Sequence, residues 1–259
     1  GNRYMWSNAD AVGTRGVGNH KHNDLLSFDL YAGRPFLVDP GSYIYTPSPN
    51  WRNRFRSTAW HNTVRVDEQE QNRFPEDGYL FALQDDATPS VRKWVTTDDL
   101  DEIEMSHDGY GRLAEPVIHH RRIIFNKKAG WWLVCDRLDC PGKCTSGAAL
   151  LVESFLHFAP MTVNVLENDA TRLRTGFSEG ENLAVVPMQS TGWNVELGQG
   201  WVSPSYGLRD AAPVARYWRR CVLPCELTLV LWPFRKHLDL EEARGAGEAL
   251  LAVHCAEAN

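Results

Sequence analysis

Two histidines two residues apart, His20 and His22, are the residues best suited to chemistry, and Asp24 follows at the same spacing. Side chains two residues apart point to one face of an extended strand, whereas on a helix they lie about 200° apart. The spacing therefore favours an extended segment that presents both imidazoles together. Near neutral pH an imidazole can act as a general acid or base, and its neutral form can bind a metal.

Two later segments supply further metal-ligand types. Asp39 ends an apolar run, and His61 stands at the start of a predicted strand. Two histidines and one aspartate, counting His22, are typical of a zinc site with an open fourth position. A simple hairpin pairing places Tyr45 beside His22, so a shared site with Asp39 requires a bulge or bend near residues 22–24.

A basic segment lies between these groups. Residues 46–53 contain two prolines and are predicted to form a loop, and Arg52, Arg54 and Arg56 occupy alternate positions at and beyond its end. In an extended chain the three arginines share one face. Such a face is commonly only solvated, but beside histidines it can bind carboxylates or sulfates through the guanidinium fork.

Composition limits the class of protein. The 259 residues are 43% hydrophobic, enough for one large all-β unit or two small ones, and the formal charge of −6 argues against a nucleic-acid partner. No apolar run is long enough for a membrane span, and no signal peptide opens the sequence. The first residues resemble an internal cut, so an export signal is expected to have been lost with a preceding part.

Short alternating segments separated by Gly, Pro and Asn turns predict an all-β fold, an antiparallel β-sandwich of the supersandwich type with few short helices. The predicted strands are 4–7, 26–31, 36–38, 63–67, 79–83, 90–95, 102–105, 116–125, 131–136, 149–158, 162–166, 183–187, 193–197, 215–223, 226–232 and 249–254. One short helix is predicted over 240–249. Residues 126–130 are predicted to join a hairpin.

The sequence does not decide whether its six cysteines are disulfide-bonded, free or metal-bound. Cys140 and Cys144, and likewise Cys221 and Cys225, are four residues apart, while Cys135 and Cys255 stand by themselves. Disulfides of an exported protein, buried thiols and a metal knuckle are all compatible with this spacing, although the flanking residues are poor for a knuckle.

The stretch from Gly18 to Gln71 resembles the heparinase II/III-like domain of polysaccharide lyases. The segments that carry the resemblance are the cluster His20, His22 and Asp24, the run 38–41, Tyr43 and Tyr45, and the run 56–67, with weaker echoes at 119–122 and 201–207. The resemblance implies that residues 1–259 are one β-sandwich domain at the C-terminal end of a longer chain. It also implies a preceding helical (α/α) toroid that completes the substrate cleft.

The resemblance assigns roles to the residues singled out above. It implies His20 as catalytic base or stabiliser and Asp24 as a residue that orients an imidazole. Tyr45 is the implied catalytic acid by similarity to some relatives, whereas in many others the catalytic tyrosine and an asparagine that neutralises the carboxylate come from the toroid. His22, Asp39 and His61 are implied as ligands of a divalent metal, zinc, that braces the loop carrying His20. Tyr43, Arg52, Arg54 and Arg56 are the expected substrate-binding residues.

The implied function is β-elimination on an acidic, uronate-containing polysaccharide such as heparan, alginate or a bacterial exopolysaccharide, in the periplasm or outside the cell. The isolated chain is expected to be inactive, because the toroid is missing. A non-catalytic carbohydrate-binding module that uses the same arginines and Trp51, Trp60 or Trp201 is the alternative. A zinc hydrolase is disfavoured, because no His-Glu-x-x-His motif supplies a general-base glutamate.

Overall fold

Three antiparallel sheets and two α-helices make up the computed structural model. It describes residues 2–13, 17–18, 20–76, 78–142, 144, 147–166 and 169–255. Residues 253–255 are described by their backbone alone. About 49% of the structure is strand and 10% helix, which confirms the predicted all-β, sandwich-like fold. No helix among the described residues is long and apolar enough to cross a membrane.

The sheets have three, eight and four strands. The first has the order β1(Arg3–Ser7), β2(Phe28–Ala32), β3(Pro35–Leu37). The eight-stranded sheet has the order β10(Val163–Leu166), β11(Asp169–Thr175), β12(Asn182–Pro187), β15(Cys225–Phe234), β8(Trp131–Asp139), β7(Val117–Asn126), β6(Leu100–Tyr110), β5(Pro89–Thr96). The third has the order β13(Asn194–Ser205), β14(Leu208–Cys221), β9(Leu150–His157), β4(Val64–Val66).

Apolar side chains of all three sheets meet in one buried core. In β12, Leu183 and Val185 enter this core, while Ala184 and Val186 belong to a second cluster on the other face of the large sheet. The helix α2(Leu240–Cys255) packs on that second face. Because both faces of β12 are covered, the strand is a continuous apolar run rather than an alternating one.

Most predicted strands are present, and the hairpin β7–β8 turns at 126–130 as predicted. Two predicted strands are wrong. Residues 249–254 belong to α2, where Leu250 and Leu251 pack against the second apolar cluster, and 79–83 form a loop. The strand β11 was not predicted, because its sequence is mostly polar and only two of its residues are buried.

The predicted loop and extended segment around Arg52 is in fact the helix α1(Pro49–Arg56). Ser48 caps it by accepting a hydrogen bond from the Trp51 amide at 3.5 Å, and Pro49 occupies its first turn, where a missing N–H costs nothing. Residues four apart share a helix face, so Arg52 and Arg56 lie on one buried face with Phe55.

Candidate functional site

Asn62 joins the strands that carry the site. Its side-chain amide donates to the carbonyl oxygens of Phe28 at 2.7 Å and Val38 at 3.2 Å, and its Oδ1 accepts from the His157 amide at 2.6 Å. The Val38 amide in turn donates to the His157 carbonyl at 3.0 Å. These bonds bring β2, the end of β3 and the end of β9 together, and they place His61, the neighbour of Asn62, beside Asp39.

His61, which is fully buried, forms an ion pair with Asp39, whose side chain is 36% exposed. His61 Nδ1 lies 2.8 Å from Asp39 Oδ2, and Asp39 Oδ1 accepts from the Gly41 amide at 2.7 Å. Burial lowers the pKa of His61, but the carboxylate of Asp39 outweighs burial, and the pKa is raised overall. Burial opposes ionisation of Asp39, but His61 holds the pKa of this carboxyl down to about 2. The pair orients the His61 ring and leaves Nε2 buried and without a hydrogen-bond partner among the described residues.

His22 packs next to His61, with ring centroids 5.3 Å apart. Burial, followed by the charge of His61, lowers the pKa of His22 to about 4, so its imidazole is neutral at physiological pH. Its Nε2 lies 3.5 Å from Ser42 Oγ. A neutral imidazole is the form that binds a metal.

The predicted zinc ligands therefore gather in one cluster, but their donor atoms do not all lie within 4.8 Å of one another. The group among the described residues that meets this distance is Glu115 with Cys140 and Cys144, and the two cysteines form a disulfide. The donor set around His61 fits a transition metal in chemistry, because His61 Nε2 is a buried, unpartnered nitrogen and His22 is neutral. In this arrangement the Asp39 carboxylate binds the His61 ring.

His20 and His22 do not lie on a strand, which corrects the first expectation. The segment turns, with the Lys21 amide donating to the Gly18 carbonyl at 2.9 Å. The two rings therefore have different neighbours: His22 packs toward His61, whereas His20 is exposed and meets the Tyr45 ring edge-on at 6.2 Å. The turn separates a half-buried histidine that packs against His61 from an exposed one that a ligand can reach.

Asp24 forms an ion pair with Lys21 at 3.0 Å and acts on His22 and His61 through its charge. Among the described residues no hydrogen bond joins its carboxylate to an imidazole.

Two members of the cluster escaped prediction. Asp29 on β2 has its pKa raised to about 7, by burial and then by the charge of Asp39. His157 is buried at the end of β9, and its Nε2 lies 3.0 Å from the Ala59 carbonyl oxygen. The available sequence signals were a carboxylate and a histidine on otherwise apolar strands, which are weak signals.

The arginines of α1 do not form the expected open basic face. Arg56 is 1% exposed, and it donates to the carbonyl oxygens of Leu80 at 2.6 Å, Ala82 at 2.9 Å and Lys21 at 3.2 Å. Arg52 is also buried and donates to the Leu80 carbonyl at 3.2 Å. These bonds hold 80–82 in a loop, where a strand was predicted over 79–83. Arg54 is the exposed member, with its guanidinium 5.1 Å from the Trp51 ring.

A series of aromatic contacts extends from Tyr45, the ring that meets His20. The Tyr45 ring lies 5.7 Å from Tyr206 and 6.4 Å from Phe81, and Tyr79 follows at 6.5 Å from Phe81. We call Tyr45, Phe81, Tyr79 and Tyr206 the aromatic rim. Tyr79 and Tyr206 are 53% and 61% exposed, so the rim offers ring faces to a ligand. Tyr43 packs instead against Trp51 and Phe55.

A second polar network connects the cluster to the large sheet. Arg121 forms a bidentate ion pair with Asp136, and its Nη1 donates to the carbonyl oxygens of Leu26 and Asn62 at 2.6 Å each. His119 Nε2 lies 2.8 Å from Asp136 Oδ1. Because all these groups are buried and paired, the network fixes the backbone next to His61.

The family model described as "Heparinase II/III-like, C-terminal" matches residues 4–223. No curated protein matches the chain in sequence. The fold is similar to that of solved lyases. The heparan sulfate lyase HepC from Pedobacter heparinus has a TM-score of 0.74 and 19% identity over 92% of this chain and 34% of its own. A heparinase III has a TM-score of 0.71 and 15% identity over 90% of this chain and 34% of its own. The chain thus spans about a third of the length of these lyases.

Proposed function

The chain belongs to the heparinase II/III-like, C-terminal family, and on that basis we propose that it supplies the β-sandwich half of a polysaccharide lyase active site. The observation that carries the proposal is the contact between the exposed His20 and Tyr45, next to the buried His61 and the half-buried His22 and Asp39. His20 and Tyr45 are the proposed acid–base pair, and the polar cluster around His61 packs against the turn that carries His20.

The proposed reaction is β-elimination on a uronate. The base removes the proton from C5, the electron pair of that bond forms a double bond between C4 and C5, and the bond from C4 to the glycosidic oxygen breaks. The leaving oxygen then takes a proton from an acid. His20 is the proposed base or stabiliser, and Tyr45 is the proposed acid, because its ring lies against that of His20.

His22, Asp39 and His61 are the proposed holders of a divalent metal, most suitably zinc. The neutral His22 and the unpartnered Nε2 of His61 support this proposal. Zinc bound there would contribute structural bracing, since elimination uses no hydrolytic water. The chain's own residues then keep the turn at 20–22 in place, through the ring contact of His22 with His61 and the bond from Arg56 to the Lys21 carbonyl.

The proposed substrate is an acidic glycosaminoglycan or a related uronate polymer, and the proposed partner is a helical domain of the same parent chain. The chain's short span relative to the solved lyases supports a partner domain. Export to the periplasm or the medium is likewise proposed, and the Cys140–Cys144 disulfide supports it. Cys135, Cys221 and Cys225 are free thiols, and the side chain of Cys255 lies outside the described part.

A non-catalytic carbohydrate-binding module is the second candidate, and the exposed rings of Tyr79 and Tyr206 favour it. The parent chain separates the two candidates. A lyase converts a uronate polymer to an unsaturated product that absorbs in the ultraviolet, whereas a binding module retains the polymer unchanged. Absence of that absorbance on heparan sulfate, alginate and other uronate polymers would overturn the lyase proposal.

A further inference from the structure

The guanidinium of Arg209, at the start of β14, lies among three aromatic rings. Its Cζ atom is 3.7 Å from the ring centroid of Trp51, 4.3 Å from that of Trp201 and 5.1 Å from that of Tyr43. Attraction between a cation and an aromatic face holds the planar group at such sites. The rings therefore fix the position of the guanidinium and restrict its rotation.

Within the part of the chain that the structure describes, Arg209 has no acidic partner to match its charge. It forms no ion pair within the described ranges, and its Nη1 is buried without a hydrogen-bond partner there. The buried Arg56 and Arg121 differ, because each donates to several carbonyl or carboxylate oxygens. A buried donor without an acceptor is costly, so Arg209 is suited to an acceptor that the described residues do not provide.

The hairpin that carries Arg209 belongs to the rim of the site. The Gly207 amide donates to the Tyr43 carbonyl at 2.8 Å, and this bond pins the β13–β14 turn to the segment 43–45. Within that segment Tyr45 contacts His20, and Tyr43 contacts Arg209. One short loop thus separates the proposed acid–base pair from the unmatched cation.

We propose that Arg209 binds a carboxylate or sulfate of the acidic saccharide, on a sugar unit next to the one that reaches His20. The proposal rests on the function proposed above. A guanidinium whose face is covered by rings keeps its N–H edge for bidentate contact with a planar or tetrahedral anion, which a lysine cannot reproduce. Arg209 takes the substrate-binding role that the sequence suggested for Arg52 and Arg56, whose donors the backbone already uses.

Calorimetric titration of the 259-residue chain with a heparan sulfate oligosaccharide of defined length tests the proposal. We expect Arg209→Ala to weaken binding roughly tenfold to a hundredfold, the effect of losing a charge-assisted bidentate contact. The matched control is Arg220→Ala, which removes an exposed arginine near the other end of the same strand and should leave the affinity within a factor of about two. A desulfated oligosaccharide shows which group is bound, because a sulfate contact is lost with it and a carboxylate contact is not.

Equal losses in both variants, or no binding by the wild-type chain, would overturn the assignment of Arg209. Arg209→Gln, which keeps a planar polar group between the rings, replaces the alanine variant if that one melts early. The parent chain separates this failure from failure of the lyase proposal. If the parent chain is active and Arg209→Ala binds as tightly as the wild type, only the anion site at Arg209 is refuted. If the parent chain is inactive and Arg209→Ala still binds more weakly, the lyase proposal is refuted and the anion site stands.

Discussion

Arg56 donates its Nε–H to the carbonyl oxygen of Lys21 at 3.2 Å, which ties α1 to the residue between His20 and His22. The same guanidinium holds the loop 79–83 through the carbonyls of Leu80 and Ala82. Burial, followed by the charge of Arg52, lowers the pKa of Arg56 to about 10, so it remains charged at neutral pH. One buried cation therefore fixes two sides of the site.

Arg56→Ala should lower the free energy of unfolding by about 2–5 kcal/mol, because it leaves three backbone carbonyls without this donor and creates a cavity. Denaturant unfolding measures the loss, and hydrogen exchange should show faster opening of 18–24 and 79–83. Arg54→Ala is the control on the same helix. Its side chain is exposed, so a change within about 0.5 kcal/mol is expected. Equal effects of the two variants would contradict the bracing role of Arg56.

Acid should destabilise the protein through His157. Burial, followed by the charge of His61, lowers the pKa of His157 to about 4 in the folded state, compared with about 6.5 for an unfolded histidine. Below pH 6.5 the unfolded chain therefore takes up a proton that the folded chain refuses. The contribution is fully present above pH 6.5 and is lost as the pH falls toward 4, on the order of 3 kcal/mol in all.

The measurement is the free energy of unfolding between pH 7 and 4, with a chelator present. His157→Gln should flatten this pH dependence, because it removes one of the groups that gains a proton on unfolding. His237→Gln replaces an exposed histidine and should leave the dependence unchanged. An unaltered slope in His157→Gln would show that another group is responsible.

The cluster around His61 is predicted to bind a metal. We expect close to one equivalent of a divalent transition metal in protein prepared without chelators, and His61→Ala should lower both the occupancy and the melting temperature, because a structural site contributes folding energy. Elemental analysis and thermal unfolding are the measurements, and His237→Ala is the control. Well under half an equivalent in the wild-type protein would rule out the metal proposal.

Activity in the parent chain should separate the two histidines of the turn. His20→Ala should reduce elimination by about 10²–10⁴, the usual contribution of a general acid or base, and should retain the metal. His22→Ala should lose activity together with the metal. The 259-residue chain by itself should form little or no unsaturated product. A His20→Ala parent as active as the wild type would leave this domain with a binding or bracing role.

Alternation and turn residues in the sequence were enough to predict the all-β architecture, the β7–β8 hairpin and most strands. These signals are local, because the side-chain period of a strand and the chemistry of a turn depend on neighbours in the chain. The resemblance in 18–71 indicated the family that the match over 4–223 shows. The same local reasoning misread 49–56, since alternate arginines are compatible with a strand or a helix until the Ser48 cap is considered.

The tertiary structure decided which of these residues meet. Asp39 and His61 come together because Asn62 binds both Phe28 and Val38, and Arg209 reaches Trp51 because β13 and β14 turn back onto the segment 43–45. The contacts of Arg209 with Trp51 and Tyr43 join residues 158 and 166 positions apart in the chain. No period or spacing encodes them, because the distance between two strands in space depends on how the sheets pack rather than on their separation in sequence.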